Sequence, residues 1–222
     1  MDKIDTSNQI DIATAIFSFI LYFPVGFILT SSIMIEPINS LVHWRNFAFS
    51  IVYATLYFYV IKTKLSFSFG LLDNISFRNF SIALGCAIIG LIVNSLLSLH
   101  VLQNFFKESY DLVMGGQETI KPLPVLIFSC IIAPMSEELM FRGYILKGLR
   151  NKYGTALAFC VSLLLFSLGH VYVVSIFYAL TMGIILGLLY LKTGSVFSCM
   201  ITHVFYNIVA MFMSYNYPNF FW

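Results

Sequence analysis

Two adjacent carboxylates, followed one helical turn later by an arginine, are the first residues of this sequence that could do chemistry. They are Glu137, Glu138 and Arg142, and they lie in an otherwise apolar stretch. Glu138 and Arg142 are four residues apart, so they share one face of a helix and can form an ion pair. Glu137 points about 100° away around the helix. The pattern predicts one neutralised carboxylate and a second one that is able to act as a base.

Two later stretches add imidazole and amide groups at the same four-residue spacing. Phe166 precedes His170, and His203 precedes Asn207. Taken singly, each polar group has an ordinary explanation: a histidine bonded to a backbone carbonyl, or an asparagine that links two helices. Polar and ionisable groups inside apolar spans are costly, however, and by default they indicate function. Together they supply a base and hydrogen-bond donors for a developing negative charge.

The spacing from the helix ends predicts that these groups lie at similar depths. Glu137 lies 14 residues before the tight turn expected at Asn151–Gly154, and His170 lies 16 residues after it. At about 1.5 Å per residue, both are roughly 21–24 Å from that turn. His203 and Asn207 lie roughly 14–20 Å from their own turn on the same side. Groups from three helices can therefore converge.

The composition indicates that the helices carrying these groups cross a membrane. Of 222 residues, 59% are hydrophobic and 10% are charged, whereas soluble domains carry roughly a quarter charged residues. A spanning helix needs about 20 apolar residues, and the apolar runs here are continuous rather than alternating. We predict an all-α polytopic membrane helix bundle. Its seven expected spans cover residues 12–34, 41–61, 79–102, 122–141 (helical to about 151), 155–174, 175–192 and 195–214.

The expected organisation is a single transmembrane domain over residues 1–222. Residues 1–121 would form the N-terminal spans and a surface segment at 103–121, and residues 122–214 would form the catalytic helices. Seven spans leave eight Lys and Arg residues on the side of the N-terminus and three on the other, with Arg142 not counted. Because basic loops tend to stay on the cytoplasmic side, we expect a cytoplasmic N-terminus. The expected location is the bacterial cell membrane.

Several further residues have structural explanations. Pro134 removes a backbone hydrogen bond just before the glutamates and should distort the helix there. Ser136 is expected to bond the carbonyl of Ile132, and Gly183 and Gly187 form a face for close helix packing. The remaining polar and sulfur-containing residues inside the spans are read as structural or as reduced packing residues, since none has a partner at helical or metal-ligand spacing: His43, Asn94, His100, Cys86, Cys130, Cys160 and Cys199.

The three motifs resemble those of the CAAX prenyl endopeptidase and bacteriocin-processing family, also called the Abi family. Glu-Glu-x-x-x-Arg, Phe-x-x-x-His and His-x-x-x-Asn occur here in the family's order, and Thr193-Gly194-Ser195 is also similar. The resemblance covers about residues 122–210. It implies hydrolysis of a peptide bond within the membrane.

The resemblance also implies a role for each motif residue. Glu137 would activate water with the help of His170, while His203 and Asn207 would stabilise the oxyanion. Glu138 and Arg142 would support the site. We expect no cofactor and a metal-free glutamic mechanism. The alternative is a zinc site with Glu137, His170 and His203 as ligands. With Glu137 as a zinc ligand, the general base would have to be Glu138, which is expected to form an ion pair with Arg142.

The function expected from the sequence is that of an intramembrane endopeptidase. Its partners would be a hydrophobic, lipidated or prenylated peptide or protein, such as a bacteriocin or pheromone precursor, and membrane lipid. Nucleic acid is not expected, because no basic stretch resembles a nucleic-acid footprint. One alternative is a non-catalytic immunity or scaffold protein on the same fold. A proton-relay transporter is another, although no inverted repeat is visible in the sequence.

Overall fold

The computed structural model of the protein describes residues 8–22, 41–64, 66–115, 122–170 and 172–216. Over these residues the secondary structure is entirely helical, without strands, which confirms the predicted fold class. Two of the helices combine consecutive helical segments into one continuous run. In chain order the helices are α1 (Ile12–Tyr22), α2 (Leu41–Lys64), α3 (Phe77–Phe105), α4 (Lys107–Gly115), α5 (Leu123–Tyr153), α6 (Thr155–Leu168), α7 (Val173–Thr193) and α8 (Val196–Asn216).

Four of these helices, α3, α5, α7 and α8, are long and apolar enough to cross a membrane. They correspond to four of the seven predicted spans. The predicted span at 41–61 is helical as α2, which has 24 residues but is not among these four. The predicted span at 12–34 begins as the apolar helix α1, and its remainder after Tyr22 lies outside the described residues. The chain is an integral membrane protein with several apolar helices.

The boundary predicted between residues 174 and 175 is wrong. α6 ends at Leu168, a turn follows at Gly169, and α7 begins at Val173. The amide of His170 donates to the carbonyl of Ser167 at 3.1 Å, which closes a three-residue turn that is tighter than a turn of α-helix. With 14 residues, α6 is about 21 Å long, shorter than the hydrocarbon thickness of about 30 Å.

The chain forms two compact units that alternate along the sequence. Unit 1 contains Met1–Leu71 and Lys121–Leu165, and unit 2 contains Leu72–Ile120 and Phe166–Trp222. The sequence suggested an informal division near residue 121, whereas these units each draw on both sides of that point.

Unit 1 is built around the second half of α5. Residues 140–146 of this helix are all buried, and the segment after α2 folds onto it. Phe67 meets the Tyr144 ring edge-on with centroids 4.7 Å apart, and the Lys147 Nζ donates to the Ser68 carbonyl at 2.8 Å.

The start of α1 is fixed by a side-chain cap. The Asp11 carboxylate accepts a hydrogen bond from the Thr14 amide at 2.7 Å, and this bond holds the pKa of Asp11 below its ordinary value of 3.8. Because the pKa is lowered in the folded state, this cap stabilises α1 above about pH 4 and is lost as the pH falls further.

Unit 2 is built on a stripe of small residues along α3. Ala83, Ala87, Gly90 and Asn94 recur at helical spacing and are buried. A Cβ added at Gly90 would lie 2.5 Å from the Met182 Sδ, so a larger residue there would require the Met182 side chain to move. The predicted close-packing residues of α7, Gly183 and Gly187, are buried as well.

Glycines terminate the helices at two tight turns. Gly154 (φ +85°) separates α5 from α6, and Gly194 (φ +65°) separates α7 from α8. Both lie where the sequence predicted turns, and positive φ explains the residue type.

Candidate active site

The two glutamates lie on a short α-helical segment of α5 between two π-helical segments. The segment Ala133–Glu138 follows a π-helical turn at Phe128–Ile132 and precedes another at Leu139–Leu146. Pro134 has no amide hydrogen, so it cannot make the regular helical bond, and the first π-helical turn lies directly before it. Such wide turns are frequent at functional sites because they rotate the following side chains relative to a regular helix.

Glu138 and Arg142 form the ion pair that their spacing predicted. The Arg142 Nη1 donates to the Glu138 Oε1 at 3.0 Å, and the two side chains are 2% and 0% exposed. Around them the side chains of Met140, Phe141 and Tyr144 are buried. A buried pair of this kind is costly to break, because removal of one partner leaves a charge without compensation.

Glu137, one residue earlier, is only half-buried. Its other neighbour, Ser136, donates to the Ile132 carbonyl at 2.9 Å, as predicted. The Ser136 hydroxyl also accepts a hydrogen bond of 2.6 Å from the Tyr22 hydroxyl, which lies within electrostatic range of Glu137. Tyr22 thus ties the end of α1 to the turn of α5 that carries the candidate base.

In unit 2, the two motif histidines lie against one phenylalanine ring. The centroid of the buried Phe166 ring is 5.5 Å from that of His170 and 5.8 Å from that of His203, and both contacts are edge-on. The His170 Nδ1 lies 3.1 Å from the Phe166 carbonyl oxygen. Because a carbonyl only accepts, Nδ1 carries the hydrogen in the neutral ring, and Nε2 carries the lone pair.

α8 carries His203 and Asn207 one turn apart, as predicted. His203 is buried and Asn207 is half-buried. Side chains of the same helix fix its position against α3. The Thr202 hydroxyl donates to the Ala83 carbonyl at 2.9 Å, and the Tyr206 hydroxyl accepts from the Asn94 amide nitrogen at 2.7 Å.

The predicted residues therefore fall into two groups. Unit 1 brings together Glu137, Glu138 and Arg142, and unit 2 brings together His170, His203 and Asn207. The convergence of both groups on one substrate stays a prediction. Within either unit, the described residues contain no cluster of three His, Cys, Asp or Glu side chains that could hold a metal ion.

Sequence reasoning missed the contacts that three residues make with the candidate site residues or their neighbours. Tyr22 lies 114 residues from its partner Ser136, and Asn94 lies 112 residues from Tyr206, so no local pattern could have paired them. Phe166 was noticed only as part of its motif. Its four-residue spacing from His170 was a signal that the ring and the imidazole share a helical face.

Comparison with known proteins supports the resemblance. Residues 119–209 match the model of the family described as type II CAAX prenyl endopeptidase Rce1-like. The UPF0177 protein YxdF of Lactococcus lactis subsp. lactis (strain IL1403) is 31% identical over 115 residues. These residues are 50% of this chain and 63% of that protein, so the chain spans less than two thirds of this curated relative. No solved structure matches the chain.

The matched segment contains α5 to α7 and most of α8, and with them all three motifs. The family is one of proteases. The motif-bearing part of this chain, residues 119–209, is thus similar to the Rce1-like family of type II CAAX prenyl endopeptidases.

Proposed function

We propose that this protein is an intramembrane endopeptidase that hydrolyses a peptide bond in a hydrophobic, lipidated or prenylated peptide or protein. The observation that carries the proposal is the buried Glu138–Arg142 pair in the matched segment. It commits one of two adjacent carboxylates to an ion pair, which supports Glu137 rather than Glu138 as the base. The fold also offers apolar helices beside which a lipid-modified substrate can lie.

In the proposed mechanism, Glu137 accepts a proton from water as the water attacks the scissile carbonyl. His170 assists through Nε2, since its Nδ1 hydrogen is directed to the Phe166 carbonyl. His203 and Asn207 donate hydrogen bonds to the oxyanion, which is where such donors contribute most. The proton then passes to the leaving amine, so the residues are regenerated after each turnover.

A metal-free mechanism is the version we propose. If Glu137, His170 and His203 ligated zinc, the general base would have to be Glu138. That carboxylate is fully buried and already accepts a hydrogen bond of 3.0 Å from the Arg142 guanidinium, so it is poorly placed to meet water. Elemental analysis of the purified protein checks this point. About one tightly bound zinc ion per chain, lost together with activity, would favour the zinc site.

The central experiment replaces Glu137 with glutamine, which keeps the side-chain shape and removes the base. Full-length protein in vesicles is incubated with a prenylated CAAX peptide and with the same peptide without the prenyl group. We expect hydrolysis of the prenylated peptide to fall by about 10²–10⁴-fold, while expression is unchanged. Glu108→Gln is the matched control, because Glu108 is an exposed carboxylate on α4.

Two outcomes would contradict the proposal. Activity retained in Glu137→Gln would show that another group is the base. Absence of hydrolysis by the wild type, over a panel of prenylated, acylated and unmodified hydrophobic peptides, would instead favour the immunity or scaffold function.

A further inference from the structure

A polar cavity lies in unit 2 at the end that α3 shares with α7. It has a volume of about 430 Å³, which is in the range of small-molecule sites. Polar side chains from the turn before α3, the first turn of α3 and the last turn of α7 line it: Asn74, Ser76, Arg78, Asn79, Lys192 and Thr193. The residues proposed for catalysis do not line it.

The charge of the cavity wall is positive. Arg78 and Lys192 both line it, and no carboxylate is among its described lining residues. Within the described part of the chain, neither cation has an ion-pair partner, and Asp73 in the adjacent turn does not line the cavity. Two cations that face one concave space are suited to an anion.

The framework around the cavity is held by hydrogen bonds and leaves little to repel an anion. The Ser76 hydroxyl caps α3 by accepting a hydrogen bond from the Asn79 backbone amide at 3.1 Å. This N-terminal end of α3 is also the positive end of its helix dipole. At the end of α7, where carbonyls would oppose an anion, the Thr193 hydroxyl donates to the Leu189 carbonyl and the Gly194 amide to the Tyr190 carbonyl.

The surroundings of the cavity are those of a membrane interface. α3 and α7 are both apolar enough to span the membrane, and the cavity lies at their ends. Ile75 lines the cavity, Leu72 and Phe77 flank this stretch in sequence, and all three are exposed, Phe77 to 85%. Exposed apolar side chains next to a basic cavity match acyl chains next to phosphate headgroups. Arg78 and Lys192 also belong to the side that the charge bias assigns to the cytoplasm.

We infer that this cavity binds a phosphate group, and specifically the headgroup phosphate of an anionic membrane lipid. Arg78 and Lys192 would neutralise the phosphate, while Ser76 and Asn79 contribute polar contacts. The site is independent of the proposed peptidase activity. It would anchor the shared end of α3 and α7 at the membrane surface.

The test measures lipid binding by full-length protein reconstituted with phosphatidylcholine, with or without phosphatidylglycerol, using native mass spectrometry. A basic side chain near an anionic surface contributes about fivefold in affinity, so Arg78→Gln/Lys192→Gln should bind phosphatidylglycerol about 30-fold more weakly. Arg78→Lys/Lys192→Arg preserves both charges and should bind nearly as the wild type does. Arg150→Gln/Lys152→Gln is the matched control, because it removes two exposed cations outside the cavity.

A further measurement adds inorganic phosphate to the protein in phosphatidylcholine alone. If phosphate bound in a way that depends on Arg78 and Lys192 while phosphatidylglycerol did not bind, soluble phosphate would be identified as the source of the anion. Equal phosphatidylglycerol affinity of the wild type and Arg78→Gln/Lys192→Gln would overturn the inference. An equal loss in the Arg150→Gln/Lys152→Gln control would also overturn it, because diffuse surface charge would then explain the binding.

Discussion

At the residue scale, the neighbours Glu137 and Glu138 have different surroundings. Glu138 is fully buried and bonded to Arg142, whereas Glu137 is half-buried next to Ser136. A carboxylate that is buried in an ion pair contributes to stability, and a partly accessible one is available to water. Substitution of each residue should therefore separate stability from activity.

We predict that Glu138→Ala and Arg142→Ala each lower the stability of the protein in detergent, because loss of one partner of a buried pair costs about 3–5 kcal/mol. The double variant should recover part of that loss. Glu137→Ala should cost clearly less, and all four variants should lose activity. Thermal unfolding of the wild type and the four variants measures these differences. If Glu138 and Arg142 showed no coupling, the structural role of the pair would be refuted.

Phe166 offers a second prediction at this scale. Phe166→Leu keeps an apolar side chain but removes the ring edge against both imidazoles. A misplacement of about 1 Å can cost about 100-fold in rate, so we expect a fall of kcat by about 10–100-fold with KM little changed. Phe205→Leu on α8 is the control, because Phe205 is exposed. An unchanged kcat would show that the ring does not position the histidines.

The residue pairs that could be predicted from the sequence are those four residues apart. Glu138 with Arg142 and Ser136 with Ile132 are such pairs, and both are present as expected. A helix brings these positions together whatever the tertiary structure. Tyr22 and Asn94 reach partners more than a hundred residues away, and only the packed fold brings them there.

At the element scale, the position of α8 depends on its contacts with α3. Asn94, fully buried on α3, donates to the Tyr206 hydroxyl at 2.7 Å and to the Tyr178 carbonyl at 3.5 Å. Tyr206 lies between His203 and Asn207 in sequence. The hydrogen bond therefore fixes the helix that carries the proposed oxyanion donors.

We predict that Tyr206→Phe lowers the stability by about 1–3 kcal/mol, because a buried hydrogen bond loses one partner. In a protein of this size, each kcal/mol corresponds to about 2–4 °C in Tm. Tyr215→Phe on the same helix is the control and should have no effect, since Tyr215 is 50% exposed. Equal Tm values for Tyr206→Phe and the wild type would show that the bond does not hold α8.

The number of apolar helical segments was easier to predict than their ends. Gly154 and Gly194 were found as turns because glycine and a change in polarity coincide there. The end of α6 at Leu168 was missed, because apolar residues continue on both sides of Gly169 and hydropathy alone does not locate the break. The two π-helical segments of α5 have no signature beyond Pro134.

At the scale of the whole molecule, the distribution of basic residues predicts the orientation in the membrane. In a cysteine-free background, Lys152→Cys should be inaccessible to an impermeant thiol reagent added outside intact cells, and Asn216→Cys should be labelled. Both residues are exposed, so protection from labelling would report the side of the membrane. Labelling of Lys152→Cys together with protection of Asn216→Cys would show that the protein has the opposite orientation in the membrane.

The alternating order of the two units has a consequence for biosynthesis. A nascent chain that has reached residue 120 holds part of each unit and the whole of neither. Unit 1 has its full sequence once residue 165 has been translated, and unit 2 only once α8 has been. His203 and Asn207 leave the ribosome after Glu137 and His170. A chain released before α8 would therefore lack the proposed oxyanion donors and could not carry out the proposed hydrolysis.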